Sequence, residues 1–78
     1  MRYFFHLREP GGYVVDHEGL ELGCIDAVRT AATCGARSII ADEILRGSLP
    51  LATILEVEDE HGRRVLELPF SETVRVDG

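Results

Sequence analysis

This 78-residue chain contains no lysine; its eight basic side chains are all arginine, set against 14 aspartates and glutamates for a net charge of −6. The arginines fall at positions 2, 8, 29, 37, 46, 63, 64 and 75, and Arg63-Arg64 is the longest basic run. Neutralising phosphates requires clustered Lys and Arg, so the expectation is no nucleic-acid partner and no anionic membrane surface. No apolar run approaches the roughly 20 residues of a membrane span, and Tyr3-Phe4-Phe5 is too short for a signal peptide. The chain is therefore expected to be cytoplasmic. Cysteine is scarce, with two residues. With Cys24 and Cys34 on one helix, ten residues of about 1.5 Å rise separate them by roughly 15 Å, too far for a disulfide. Reduced thiols in a reducing compartment are expected.

Motifs that carry chemistry are also missing. His6, His17, His61, Cys24 and Cys34 form no CxxC, HxxxH or HExxH pair, so no metal is expected. Gly11-Gly12 and Gly19 do not lead into a phosphate-binding helix start, and no cofactor is expected. The turns carrying His17-Glu18 and Glu60-His61 can share a metal only if both lie at one end of the sheet; otherwise their acidic residues are solvated turn formers. Glu56 and Glu58, two apart on one strand face, fit a solvated face better than an acid–base pair. His6, on the polar side of an aromatic strand, reads as a hydrogen-bonding residue rather than a general base. Cys24 is a possible reactive thiol, because a helix N-terminus favours a thiolate; the plainer reading is a small residue at a cap. Enzymatic activity is not expected, and no residue is assigned as catalytic.

What the chain does contain is a regular order of elements. Residues 1–78 make one domain, and at this length a single core rarely supplies more than about 3–5 kcal/mol. Arg2 to Arg8 alternates Tyr3, Phe5 and Leu7 against Phe4 and His6, and Glu9-Pro10-Gly11-Gly12 turns it into a second strand, Tyr13-Val14-Val15. A helix is predicted from about Ile25 to Arg46. Its start at Gly23 or Cys24 is weakly marked, and its end at Gly47 is clear. Thr53–Glu58 and Arg64–Leu68 form a second hairpin around Asp59-Glu60-His61-Gly62, with Leu55 and Val57 inward. Phe70 and Val74 are then buried in a short tail segment. The predicted fold is α+β, a two-layer ββαββ arrangement with a mainly antiparallel four-stranded sheet and one long helix on one face. Strand order 2-1-3-4 is favoured over 1-2-3-4.

The helix carries apolar or small residues on two sides. Ile25, Val28, Ala32, Ala36 and Ile39 form one stripe; Ala27, Ala31, Cys34, Ser38, Ala41 and Leu45 form another nearly opposite. A lone helix on a sheet needs only one such stripe. The second is assigned as an interface, implying a homodimer or another protein partner, with the uncovered sheet face as the other surface available for self-association. The alternative is that alanine is there simply as the best helix former.

Met1-Arg2-Tyr3-Phe4-Phe5-His6-Leu7-Arg8, Asp16-His17-Glu18-Gly19-Leu20-Glu21-Leu22, Ala27-Val28-Arg29 with Ala32, Asp59-Glu60-His61-Gly62-Arg63 and Leu68-Pro69-Phe70-Ser71-Glu72 together resemble domain-of-unknown-function family 6894. The resemblance implies a short stand-alone protein of a kind common in alphaproteobacteria, and it brings no catalytic or binding residues. The chain departs from the family pattern at the helix start, where Gly23-Cys24 replaces a proline and an acidic cap. Gly12-Tyr13-Val14-Val15, Leu22-Gly23-Cys24 and the alanine-rich helix are also similar to the antitoxin partner of HicA-type RNase toxins, the HicB type, though the DNA-binding extension usual there is missing. The function expected is a non-enzymatic interaction module that self-associates. The alternative is an antitoxin-like partner masking a small toxin, and a thiol- or metal-dependent activity ranks third.

Overall fold

The computed structural model describes residues 1–77. In chain order the elements are β1 (Arg2–Glu9), β2 (Gly12–Val14), β3 (Leu20–Glu21), α1 (Ile25–Leu45), β4 (Ile54–Asp59), β5 (Arg64–Pro69) and a single 3₁₀ turn, Phe70–Glu72. The strands form one open antiparallel sheet in the order β2-β1-β4-β5, which is the favoured 2-1-3-4 arrangement. One short strand was not anticipated: Leu20–Glu21 pairs with the start of β1, Arg2 opposite Glu21 and Tyr3 opposite Leu20. Two residues between a turn and a helix carry too little alternation to read as a strand.

β1 therefore has two partners along one edge, β2 beside its second half and β3 beside its first. The gap between them leaves the Phe5 amide without a ladder partner. Asp16 fills it: one carboxylate oxygen accepts the Phe5 N–H at 3.0 Å, and the other accepts the amides of Glu18 and Gly19. An aspartate that accepts amides two and three residues ahead is a local turn former, and here it also completes the sheet. Asp59 repeats the device, accepting the amides of His61 and Arg63. The likeness of the two Asp-to-Gly turns is thus shared turn chemistry, with Gly19 and Gly62 both at positive φ.

One helix stripe, the inward residues of the sheet and the 3₁₀ turn make the core: Val28, Ala32, Ala36 and Ile40 against Leu55, Val57 and Leu66 of the sheet and Phe70 of the turn. Leu55 and Val57 point inward as expected, and Phe70 is fully buried with Val74 packed beside it. The helix stripe is shifted from the sequence reading. Ile25 is exposed, since it opens the helix beyond the packed region, and Ile40 rather than Ile39 is the buried isoleucine. Cys24 is the N-cap, with no side-chain hydrogen bond to the helix. At the other end Arg46 is the C-cap rather than a last-turn residue. Gly47 (φ 87°) donates to the Ile44 carbonyl and Ser48 to that of Glu43, the paired bonds of a glycine-terminated helix.

The helix packs on β4, β5 and the 3₁₀ turn. It does not cover the β2 side of the sheet.

Gly19 and Gly47 share positive φ but not surroundings. A Cβ at Gly19 meets the Phe4 ring, the Arg2 stem and the Tyr3 carbonyl oxygen, each at 2.9 Å, whereas one at Gly47 meets nothing within 4 Å. Gly19→Ala should therefore cost about 2–4 kcal/mol and Gly47→Ala only about 1 kcal/mol. Urea denaturation of the two variants checks this, and equal losses would contradict it.

Candidate functional site

On the helix-side face, β1 presents Tyr3, Phe5 and Leu7, all only half-buried. The helix stands off from this part of the sheet, so Phe5, Leu7, Leu20 and Leu55 face its residues Ala31, Gly35 and Ile39 across an apolar cavity of about 210 Å³. Around it Leu20 is 47% exposed and Val14 51%. The second helical stripe runs alongside. Ala27 and Ala31 are half-buried, while Cys34, Ser38, Ala41 and Leu45 are exposed, Leu45 at 86%. Ala31 belongs to both the stripe and the cavity wall, so the two form one continuous surface. Sequence reasoning had named the stripe but not Phe5, Leu7, Leu20 and Gly35. The available signal was the inward alternation of the first strand, which makes more apolar sheet than one helix can cover.

The opposite face of the sheet is polar, and it corrects the sequence reading at Glu56. That residue is 1% exposed, not solvated. Its neighbours come from three other strands. Tyr13 donates its hydroxyl to Oε1 at 3.1 Å, Arg64 pairs with Oε1 at 3.1 Å, and Arg8 pairs with Oε2. The Arg8 contact is a charge pairing without directed hydrogen-bond geometry, so Oε2 is compensated by charge alone. A one-residue irregularity between Val57 and Glu58 sets Arg64 opposite Glu58, on the face that also carries Glu56 and Glu67. A buried carboxylate between two half-exposed arginines ties β1, β4 and β5 together, and this arrangement is structural.

His6 lies beside this network, and both of its ring nitrogens are used. Nδ1 accepts the Asp16 amide at 3.0 Å, which assigns the proton to Nε2, and Nε2 lies 3.2 Å from Glu58. A buried imidazole engaged on both sides is a positioning element, not a free base. Burial pushes the Asp16 carboxyl up, but the amides of Phe5, Gly19 and Glu18, with His6 nearby, outweigh it and hold the group below its ordinary 3.8. The Arg63 amide is the main cause of the same lowering at Asp59, opposed by burial and aided by the His61 amide.

The two turns do sit at one end of the sheet. Arg2 joins them, its amide donating to Glu60 at 3.3 Å and its guanidinium to the Glu18 carbonyl at 2.8 Å. An arginine thus lies between them, and among the described residues no group of three His, Cys, Asp or Glu is placed to hold a metal ion. Glu18 and Glu60 are exposed, as expected of turn residues, whereas Asp59 is buried and Asp16 half-buried, both as amide acceptors. Cys24 and Cys34 are both free and exposed. Among the described residues no helix is long and apolar enough to cross a membrane.

Residues 2–71 match the family described as a domain of unknown function (DUF6894). The chain belongs to this family. No curated protein and no solved structure matches it.

The lowered Asp16 and Asp59 carboxyls make stability pH-dependent with a definite sign. A carboxylate bound more weakly by protons in the folded state contributes stability that is full above its unfolded value and lost as pH falls through the folded one. The urea midpoint should therefore drop steeply below about pH 4. Asp16→Asn should be less stable at neutral pH and flatter in the acid limb. Parallel curves for the two proteins would contradict this assignment.

Proposed function

We propose that this member of the DUF6894 family is a non-enzymatic interaction module that self-associates as a homodimer. The surface used is the helical stripe of Ala27, Ala31, Cys34, Ser38, Ala41 and Leu45, together with the adjoining uncovered sheet. The observation that carries this reading is the continuity of that stripe with the apolar cavity over β1, through Ala31. Small residues let a second backbone approach closely, and the exposed Leu20, Val14 and Leu45 supply apolar area that a partner removes from water. A second copy offers the same stripe in return, as a two-fold interface requires.

The polar chemistry supports the same conclusion. Glu56, His6, Asp16 and Asp59 are all occupied in holding the sheet and its turns, which leaves the apolar surface as the part of the molecule free to act. The HicB-type reading would give this same surface to a small toxin, and the order of strand, Gly23-Cys24 turn and helix supports it. The thiol- or metal-dependent reading has only the exposed Cys24 in its favour.

Light scattering coupled to size-exclusion chromatography across a dilution series tests the homodimer. The wild-type chain should run at twice its monomer mass and dissociate on dilution, and Ala41→Arg, at an exposed position, should be monomeric with unchanged folding. A monomer at every soluble concentration would contradict self-association and leave a different partner for the surface.

A further inference from the structure

His6 is buried, whereas His17 and His61 lie exposed in turns. Its Nδ1 accepts the Asp16 amide at 3.0 Å, a bond that exists only while Nδ1 carries no proton. Asp16 in turn closes the gap in the β1 edge, where its carboxylate accepts the amides of Phe5, Glu18 and Gly19. One residue therefore fastens the 16–19 turn to β1 at two points, the ring of His6 and the amide of Phe5. Leu20 follows this turn directly and lines the apolar cavity together with Phe5.

The charges around the ring do not forbid a second proton. Glu58 on β4 lies 3.2 Å from Nε2, and the Asp16 carboxylate is near enough to interact with the ring's charge. Arg8 on β1 and Arg64 on β5 are both paired with Glu56, which stands opposite His6 on β4. Tyr13 on β2 contributes its ring, with centroids 5.8 Å apart. An imidazolium is thus matched by Glu58 at Nε2, while its Nδ1–H meets the Asp16 N–H head on. Two donors facing each other make no hydrogen bond, so the turn must give way. We infer that His6 is a proton-operated latch, whose charging at Nδ1 releases the 16–19 turn from the β1 edge and uncovers the Phe5 amide. That amide is then a free donor in the gap between β2 and β3, at the margin of the apolar cavity. The latch belongs to the single chain and stands whether or not the neighbouring surface pairs with another copy.

Long-range ¹H–¹⁵N spectra of the ¹⁵N-labelled chain read both ring nitrogens of His6, and amide exchange reads Phe5, from about pH 8 down to about pH 5. This interval lies above the acid loss assigned to Asp16 and Asp59. At its upper end the Nε2–H tautomer is expected. As His6 charges, the Asp16 and Gly19 amides should shift with the midpoint of the ring. Over the same interval Phe5 protection, taken relative to an unstructured chain at each pH, should fall about tenfold or more. Protection at Ala32 and Val57 should hold, which separates release of the turn from unfolding. His17→Gln removes the other imidazole near the turn and should leave the transition unchanged, whereas His6→Gln should abolish it. In the wild-type chain alone, an Nδ1–H tautomer at about pH 8, a His6 still neutral at about pH 5, or Phe5 protection indifferent to the ring's charge would overturn the latch. A transition that survives His6→Gln, or that vanishes in His17→Gln, would overturn it equally.

Discussion

A helix is about 10 Å across and antiparallel strands lie about 4.8 Å apart, so one helix covers roughly two strands. This chain builds a sheet four strands wide and has one helix to place on it. The helix settles over β4 and β5, where Leu55, Val57, Leu66 and Phe70 meet the small residues Ala32 and Ala36 at close range. The β1 side of the same face is then left with Phe5, Leu7 and Leu20 only partly screened. The apolar cavity and the half-buried aromatics of β1 follow from this mismatch in width. So does the continuity between sheet face and second helical stripe.

The opposite face solves its own problem with charge. No layer covers it, yet Glu56 is buried there because Tyr13, Arg8 and Arg64 converge on it from the neighbouring strands. Such a cluster adds little net stability compared with an apolar one, but it fixes register. A one-residue slip of β5 would move Arg64 away from Glu56 and turn the inward leucines outward. His6 and Asp16 do the equivalent work at the other edge, where β1 changes partner from β3 to β2. The polar residues that look most chemical in the sequence are therefore engaged in holding the sheet.

Much of the fold was legible from local patterns. The alternation of Tyr3, Phe5 and Leu7 set the faces of β1, Gly47 marked the helix end, and the two hairpins around a central helix favoured the observed strand order. What escaped was whatever depends on contacts between strands distant in sequence. Glu56 reads as solvated because nothing in Glu56-Val57-Glu58 announces that Arg8, Tyr13 and Arg64 will surround it. β3 escaped because two residues show no period. Ile25 fits the apolar spacing of the helix but lies past the edge of what the helix packs on, and spacing alone does not reveal where the sheet stops. Of the candidate surface, the helical half was visible as a second stripe. The sheet half was not, because it exists only where the helix fails to reach.

The proposed homodimer would seat a second copy on the uncovered β1 side of the sheet and the adjacent helix stripe. Intermolecular nuclear Overhauser effects in a mixed sample of ¹³C-labelled and unlabelled chains test it most directly. Cross-chain contacts are expected from the methyls of Val14, Leu20, Ala31 and Leu45. Cross-chain contacts confined to the β5 edge or the Arg8–Glu56–Arg64 face, with none from those methyls, would contradict it.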